Sequence, residues 1–382
     1  MTDGTRVGLF FAALFSAAAI NTAFLPLWFA DRGLSPAAIG QILGLASLLR
    51  VFAGPGWGTL ADRIGRRRPV MLVAGVTASA AALLYLPSHG FLPLLLVAAL
   101  QGIAGSALNP LVDSLALALA RAGRLDYGPV RSIGSIAYMA ASAGVGWVLS
   151  VTGTWLVPWL LVASYGSATA VTPFLPEVAT RGAPRAFAGL RLLANRPFRL
   201  VVLASALIQG AHAAYYGFAP LFWRAQGMSD ATIGLLMAEA IVAEVALFAW
   251  GRRLIERLGP PGLTACAAAA SILRWSVTAL APPIPVLAAV QLLHAATFAM
   301  QHLSAMLVLS RSLPPERAAT AQALHSALGM GAPGGLLMLL AGLLYAHYGG
   351  GAFLAMALIG GSALLLVVPL SRAGMEPHGR RA

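Results

Sequence analysis

The stretch GTLADRIGRRRP, residues 58–69, stands between two long apolar runs and gives the first indication of the fold. Gly58 permits a close approach of helices, and Gly65 permits a tight turn. Asp62 is placed to face a helix N-terminus or a basic partner. The arginines of the stretch anchor one face of a membrane; they are Arg63, Arg66, Arg67 and Arg68. The stretch therefore predicts two membrane-crossing helices joined by a short basic turn.

The composition of the whole chain supports a membrane protein. Of its 382 residues, 59% are hydrophobic and only 10% are charged, whereas a soluble protein carries about 25% charged residues. An outer surface with so little charge faces lipid, because lipid-facing positions cannot hydrate charge. The single cysteine, Cys266, lies in an apolar run, so the sequence offers neither a disulfide framework nor zinc-site spacing.

Apolar runs of the length of a membrane span, about 20 residues each, recur along the chain. The first is too long for a signal-peptide core and lacks a small-residue cleavage site, so it is predicted to be a retained helix. Twelve spans are predicted: 7–29, 36–60, 69–86, 91–119, 132–151, 154–173, 199–223, 230–250, 262–281, 285–310, 318–345 and 351–370.

The placement of arginine sets the predicted orientation. All 25 basic residues are arginine. If the N-terminus is cytoplasmic, the outside loops hold two of them, Arg32 and Arg224, and two more lie within spans, which leaves 25 − 2 − 2 = 21 inside. The positive-inside rule then predicts that both termini are cytoplasmic in a multi-pass protein of the inner or plasma membrane, with lipid around it. The net charge of +13 reports topology and not a nucleic-acid partner.

A charged segment, residues 176–198, divides the spans six and six. It predicts an N-terminal bundle over 1–175, a cytoplasmic linker, and a C-terminal bundle over 199–382. The stretch at 58–69 closely resembles the signature loop of the major facilitator superfamily, Gly-x-Leu-Ala-Asp-Arg-x-Gly-Arg-Arg, and GRRLIERLGPP at 251–261 resembles a degraded second copy. The resemblance implies an all-α polytopic fold of twelve transmembrane helices in two pseudo-symmetric six-helix halves around a central site.

Charged residues at membrane depth are costly unless paired or hydrated, so each is a functional candidate. Arg50 and Asp113 lie at similar predicted depth and are expected to pair. Glu239 and Glu244 bracket the depth of Arg274, which predicts a second pair with one acid left over. An acid without its own counter-ion is a candidate carrier of a transported proton. The alternative for both pairs is that they only hold helices together.

Two predicted spans carry polar residues along one face. Gln209, His212 and Tyr216 fall within about 60° of arc on span seven. Span ten carries a second stripe within about 100°, formed by Gln291, His294, Phe298, Gln301 and His302. Mid-depth polar groups also occur on spans one and four: Asn21, Thr22, Gln101 and Asn109. These faces predict a water-filled cavity. A metal site is disfavoured, since the histidines lie on different helices without clustered carboxylates. Gln322 and His325 fit either a cavity edge or packing.

Several stretches together resemble the phenylpropionate permease family, a neighbour of the lactose permease and nucleoside symporter groups. They are FLPLW at 24–28, NPLVDSLA at 109–116, LDYGPVRSIGS at 125–135, QGAHAAYYGF at 209–218, VAEV at 242–245, LRW at 273–275 and QLLHAATF at 291–298. The resemblance implies proton-coupled uptake of a small aromatic carboxylate. By likeness to the lactose permease group, it also implies a role in proton coupling for Glu244, Arg274 and His294. The lysine of that group's charge pair is missing here.

The expected site joins these residues. Arg274, His212 or His294 receives the carboxylate; the aromatic walls are Tyr215, Tyr216, Phe298 and Trp28; and Gln209, Asn21 and Asn109 add polar contacts. Glu244 or Glu239 carries the proton. We expect a monomer without cofactor or metal. The alternatives are a proton-driven multidrug exporter, a sugar or nucleoside symporter, a membrane sensor and an intramembrane enzyme. The last would need a nucleophile with its base, and the chain shows no nucleotide-binding loop for ATP-driven pumping.

Overall fold

A computed structural model describes residues 1–178, 189–314 and 317–373, and every regular element in these ranges is helical. The α-helices are α1 Asp3–Ala23, α2 Leu25–Asp31, α3 Pro36–Ile64, α4 Arg68–Leu84, α5 Phe91–Arg121, α6 Tyr127–Thr152, α7 Val157–Val171, α8 Arg196–Gly210, α9 Ala213–Ala225, α10 Asp230–Trp250, α11 Arg252–Ala279, α12 Ile284–Gln291, α13 Gln301–Ser312, α14 Ala318–His325, α15 Ala332–Tyr348, α16 Gly351–Gly361 and α17 Val367–Ser371. Two π-helical turns, Ala295–Met300 and Ser326–Gly331, join α12 to α13 and α14 to α15. Part of the predicted linker and the predicted cytoplasmic residues Arg181, Arg185, Arg380 and Arg381 lie outside the described ranges.

The helices correspond to the twelve predicted spans of a multi-pass membrane protein. Within the described ranges, nine helices are long and apolar enough to cross a membrane. The other three spans are α4 and α7, which have 17 and 15 residues, and α11, which begins with two arginines. Span seven consists of α8 and α9, with a break before Ala213. The all-α polytopic fold predicted from the sequence is confirmed.

The chain divides into two compact units. Unit 1 is Met1–Ala183 with Trp223–Ala238, and unit 2 is Pro184–Phe222 with Glu239–Ala382. In unit 1, α1 packs against α6 and α7, and α5 packs against α3 and α4. In unit 2, α11 packs against α16 and α13, while α8 packs against α13 and the second π-helical turn. Helices α9 and α10 therefore each pass from one unit into the other.

The signature loop forms the turn that its glycine predicts. Gly65 ends α3 with φ 72° and donates its N–H to the carbonyl of Asp62. Arg66 and Arg68 each place Nε 3.5–3.6 Å from one carboxylate oxygen of Glu177, and the backbone N–H of Arg67 donates to its other oxygen at 3.1 Å. Burial is the main cause that lowers the pKa of the Arg67 guanidinium, and Asp62 and Glu177 oppose it. The loop thus binds the exit of α7 by charge as well as by packing.

The predicted ion pair between Arg50 and Asp113 is not formed. Arg50 is exposed, and Asp113 instead has its Oδ1 3.5 Å from Nε of Arg131 and accepts a hydrogen bond from the Tyr127 hydroxyl at 3.2 Å. Residue counting gives the depth of a side chain but not the direction in which it points around its helix. The long side chain of Arg131 also reaches inward, with its guanidinium 4.3 Å from the ring centre of Phe15.

Within unit 1, α6 and α10 cross with their backbones in contact. A Cβ at Gly234 would lie 2.1 Å from the carbonyl oxygen of Ser142, and one at Gly146 would lie 2.5 Å from that of Asp230. Only glycine allows such an approach.

A charge network ties the beginning of α10 to α2. Arg224 donates to both carboxylate oxygens of Asp230, at 2.7–2.8 Å, and to Asp31 at 3.0 Å. Thr154 donates to the same Asp31 at 2.5 Å. Charged groups and close backbone packing thus fix the start of α10 within unit 1.

Candidate functional site

A buried arginine lies at the centre of unit 2. Arg274 on α11 has no exposed surface. Its Nη1 donates to Nδ1 of His294 and to Oγ1 of Thr297, both at 3.0 Å, and its Nη2 donates to Oε1 of Gln291 at 2.8 Å. Among the described residues, no carboxylate forms an ion pair with it, and its Nε has no hydrogen-bond acceptor. The guanidinium charge is therefore held by neutral acceptors alone.

Two aromatic rings lie against this guanidinium, with their centres 5.8 Å apart. Its central carbon lies 4.5 Å from the ring centres of both Tyr215 and Trp275. Both rings are almost fully buried. Cation–π contacts stabilise a desolvated arginine by about 2 kcal/mol or more, so the rings offset part of the missing counter-charge. They also fix the plane in which the arginine offers its donors.

His294 connects the arginine to a carboxylate. Because Nη1 of Arg274 can only donate, Nδ1 of His294 must accept and the ring proton must be on Nε2. That Nε2 lies 3.6 Å from Oε2 of Glu244. The predicted direct pairing of Arg274 with Glu244 or Glu239 is therefore wrong, since the imidazole lies between Arg274 and Glu244. Glu239, one turn earlier on α10, is half-buried, and its role in proton transfer stays a prediction.

His212 lies where α8 ends and α9 begins, and it is fully buried. Its Nδ1 lies 3.0 Å from the carbonyl oxygen of Ile208, which only accepts, so Nδ1 carries the proton. Its Nε2 then accepts from the hydroxyl of Thr297 at 3.1 Å. The ring stacks on Tyr216, with centres 5.7 Å apart, and meets the edge of Trp275 at 5.2 Å. Both ring nitrogens have hydrogen-bond partners, so the ring of His212 is held in one orientation.

The predicted polar faces of spans seven and ten meet in part. Gln209 donates to the carbonyl of Phe298 at 3.1 Å, and the Phe298 ring stacks on His294 with centres 5.3 Å apart. Gln301, in contrast, bonds Ser205 and not the arginine cluster. The π-helical turn Ala295–Met300 changes the angular position of every residue after it, so the stripe divides into two clusters.

Thr297 is the residue that the sequence reading missed. Its Oγ1 accepts from Arg274, donates to Nε2 of His212 and lies 3.4 Å from the carbonyl oxygen of His294. Threonine is common in membrane helices and gave no signal by itself. The signal that could have identified it is its position three residues after His294, on the same face of the helix.

Replacing Thr297 with valine is expected to lower the stability of unit 2 by about 1–3 kcal/mol, because one hydrogen bond of Arg274 and one of His212 are lost in a buried place. Thermal unfolding of the purified protein in detergent measures the effect. Thr278→Val is the control, since the Thr278 hydroxyl only donates back to the Arg274 carbonyl at 2.8 Å. Equal unfolding temperatures for both variants would contradict the organising role of Thr297.

The candidates of unit 1 have other surroundings. Asn21 is half-buried and donates to the carbonyl of Ala17 at 2.9 Å and to the Tyr165 hydroxyl at 3.2 Å. Asn109 is exposed. Trp28 is 1% exposed, and its ring packs 5.6 Å from Tyr85. This packing differs from the predicted role of Trp28 as a wall of the binding site, because its ring faces are used within the core of unit 1.

The membrane-spanning helices and the buried arginine, histidine and aromatic cluster have the architecture of a membrane transporter. The chain belongs to the MFS_1 like family of the major facilitator superfamily, whose model matches residues 5–355. Members of this superfamily are transporters and not enzymes, as the sequence predicted.

Individual relatives agree with this assignment. A probable 3-phenylpropionic acid transporter of Escherichia coli K12 is 32% identical, with 91% of this chain and 94% of that protein covered. A maltose permease of Geobacillus stearothermophilus is 30% identical, with 91% and 89% covered. The crystal structure of the nucleoside transporter NupG has the same fold, with a TM-score of 0.79 at 17% identity over 98% of this chain and 99% of that one. The resemblance to the phenylpropionate permease family is thereby confirmed.

Proposed function

We propose that this protein takes up a small aromatic carboxylate, of the 3-phenylpropionate type, together with a proton, by alternating access across the inner membrane. The observation that carries the proposal is the buried guanidinium of Arg274, whose hydrogen-bond partners among the described residues are all neutral. A buried cation without a carboxylate partner is a receptor for an anion, because the anion supplies the missing charge.

The chemistry around Arg274 fits an aromatic acid. Tyr215 and Trp275 cover the guanidinium, and Tyr216 and Phe298, both half-buried, stand at the border of the cluster. Offset or edge-to-face packing between aromatic rings adds about 0.5–1.5 kcal/mol per pair beyond area burial. A ligand with a carboxylate at one end and a phenyl ring at the other satisfies both parts of the site.

Proton binding and anion binding are linked through His294. Arg274 donates to Nδ1, and the proton on Nε2 faces Glu244, so both nitrogens of the neutral imidazole have partners. A second proton on the ring would place an N–H against the N–H of Arg274, and the two would then need a shared acceptor. The carboxylate of the substrate is that acceptor. Each ligand therefore raises the affinity for the other, as reciprocal linkage requires.

The acid of the pair is Glu244. A proton on its carboxylate or on His294 neutralises the negative charge of Glu244 on α10 within the membrane. This favours reorientation of the loaded carrier. Transfer of one carboxylate with one proton moves no net charge. The excess of arginine in alternate loops supports a cytoplasmic position for both termini, and we expect the carrier to act as a monomer.

Sugar uptake is the competing function, since a maltose permease is 30% identical. A sugar is uncharged and offers hydroxyl groups, so it leaves a buried guanidinium without counter-charge. The acid meets that requirement and the sugar does not. A proton-driven exporter would use the same groups with transport in the opposite direction.

Uptake into proteoliposomes tests the assignment. We expect labelled 3-phenylpropionate to accumulate when the outside is acidic, with alkalinisation of the outer medium, and maltose and a nucleoside to remain at background. Uptake that requires a membrane potential but no pH gradient would contradict one-to-one coupling. Transport of maltose without transport of the acid would show that the substrate is a sugar and not an aromatic carboxylate.

Replacing Glu244 with glutamine is expected to abolish accumulation and leave exchange of labelled for unlabelled acid intact. Glutamine keeps a polar side chain of the same size beside His294 but does not take up a proton, and exchange needs no proton release. Counterflow and pH-driven uptake in the same vesicles separate the two activities. Glu256→Gln is the matched control, because Glu256 is 61% exposed and pairs only with Arg252. Full accumulation by Glu244→Gln would remove Glu244 from the coupling mechanism.

A further inference from the structure

A second buried polar cluster lies in unit 2, apart from Arg274. Ser205 on α8, Gln301 on α13 and His325 at the end of α14 are at most 1% exposed. The Ser205 hydroxyl accepts from Nε2 of Gln301 at 3.0 Å and lies 2.9 Å from Nε2 of His325. The ring of His302, which is half-buried, has its centre 6.3 Å from that of His325. None of these four residues takes part in the carboxylate site.

Three polar atoms of this cluster lack a partner. Oε1 of Gln301, Nδ1 of His302 and Nδ1 of His325 are buried and have no hydrogen-bond partner among the described residues. Buried polar atoms in proteins are satisfied by other groups or by ordered water. Two histidines at this spacing, each with a free ring nitrogen, provide partners for bridging water.

The cluster lies about two helical turns from the arginine-rich helix ends, about as far as Glu244 lies from Arg252. His302 follows His294 by about two turns, some 12 Å along the helix towards Arg311. His325 lies about two turns from Arg317, at the start of α14. Glu244 interacts electrostatically with His302, and His302 with His325. The two rings therefore lie beside the coupling carboxylate, about two helical turns from the face that the positive-inside rule assigns to the cytoplasm.

The hydrogen bonds of His325 permit either tautomer, unlike those of the other buried histidines. His212 faces a carbonyl and His294 faces a guanidinium, so each of them has its ring proton fixed on one nitrogen. His325 faces a serine hydroxyl, which both donates and accepts. A ring that relays a proton must accept on one nitrogen and release from the other. Of these three, His325 meets that condition.

We propose that His302 and His325, bridged by water, carry the proton from Glu244 to the arginine-rich face after the substrate has left. The proton leaves the Glu244 carboxyl, enters one nitrogen of His302, and a proton departs from the other nitrogen. The same exchange at His325 delivers a proton to water, and the Ser205 hydroxyl turns to reset the tautomer. No net charge stays on either ring. This inference rests on the proposed proton-coupled uptake.

The test compares net uptake with exchange for His302→Gln, His325→Gln and the double variant. Glutamine at 325 keeps a hydrogen bond to Ser205 but relays no proton. We expect net pH-driven uptake to fall about 100-fold, the usual size of a lost proton-transfer group, while counterflow exchange stays at the wild-type rate. His347→Gln is the control, since His347 is exposed and bonds only the Leu343 carbonyl.

A pH indicator inside the vesicles provides the second readout. We expect the slow internal acidification of the variants to recover as the internal pH is raised, because hydroxide then removes the proton without the relay. Wild-type acidification rates in the double variant, or equal loss of exchange and net uptake, would overturn the relay. If the wild-type protein itself does not acidify the vesicles during acid uptake, the proposed function fails and not only this inference.

Discussion

Arg274→Lys is expected to weaken carboxylate binding by about 100-fold or more. The guanidinium donates from two nitrogens to three acceptors and packs against the rings of Tyr215 and Trp275. The ammonium group of lysine is not planar and cannot donate two parallel hydrogen bonds to a carboxylate. Loss of two hydrogen bonds from the guanidinium to the substrate carboxylate, at about 1.5–3 kcal/mol each, corresponds to at least a hundredfold change in affinity.

The measurement is the half-saturation concentration for acid uptake and for counterflow, with thermal unfolding of the detergent-solubilised protein as a check on folding. Arg252→Lys is the matched control, because the Arg252 side chain is 88% exposed and pairs with Glu256 on the same helix. Affinity of Arg274→Lys within a few-fold of wild type would show that the carboxylate binds elsewhere.

Gly146→Leu is expected to reduce uptake about tenfold or more and to destabilise unit 1 by about 1–3 kcal/mol, the usual cost of overpacking. The atom that a new Cβ would meet is the carbonyl oxygen of Asp230, 2.5 Å away. A backbone atom cannot rotate aside as a side chain can, so α6 and α10 must separate. Separation also displaces Asp230, which Arg224 holds by three hydrogen bonds.

Gly144→Leu, two residues earlier on the same helix, is the control, because nothing lies within 4 Å of a Cβ built at Gly144. Uptake and thermal unfolding are measured for both variants. If Gly146→Leu transports at the rate of Gly144→Leu, close contact between these helices is not needed during transport.

Much of the fold follows from the sequence because its signals are local. An apolar run of span length and an arginine-rich turn can each be recognised from a short stretch of sequence. Gly65 has the positive φ that its turn requires. Gly259, at the matching place in the second copy, also has a positive φ, but its ψ of −179° makes it a kink within α11 and not the end of a helix. A repeated sequence pattern therefore predicted a special backbone position and not its detailed form.

Three members of the cluster around Arg274 could be predicted from the sequence, but not the contacts between them. His212, Arg274 and His294 were named from their depth and helix face, and they lie together. The pairing of Arg274 was wrong, because helix periodicity does not show which of two neighbouring side chains lies between the others. The separation of Gln301 from His294 depends on a π-helical turn, which has no clear sequence signal.

The proposed transport of one acid anion with one proton has a thermodynamic consequence for the cell. One anion that crosses with one proton reaches a distribution of about tenfold per pH unit, which is the same distribution that the undissociated acid reaches by leaking through lipid. A carrier of this kind cannot concentrate its substrate beyond that leak. Its advantage is speed: a carboxylic acid with a pKa of about 4.3 is only about 0.2% undissociated at pH 7, so passive entry is slow. In the proposed mechanism the buried arginine lets the abundant ionised form enter, and selection on such a carrier acts on scavenging rate at low concentration rather than on final accumulation.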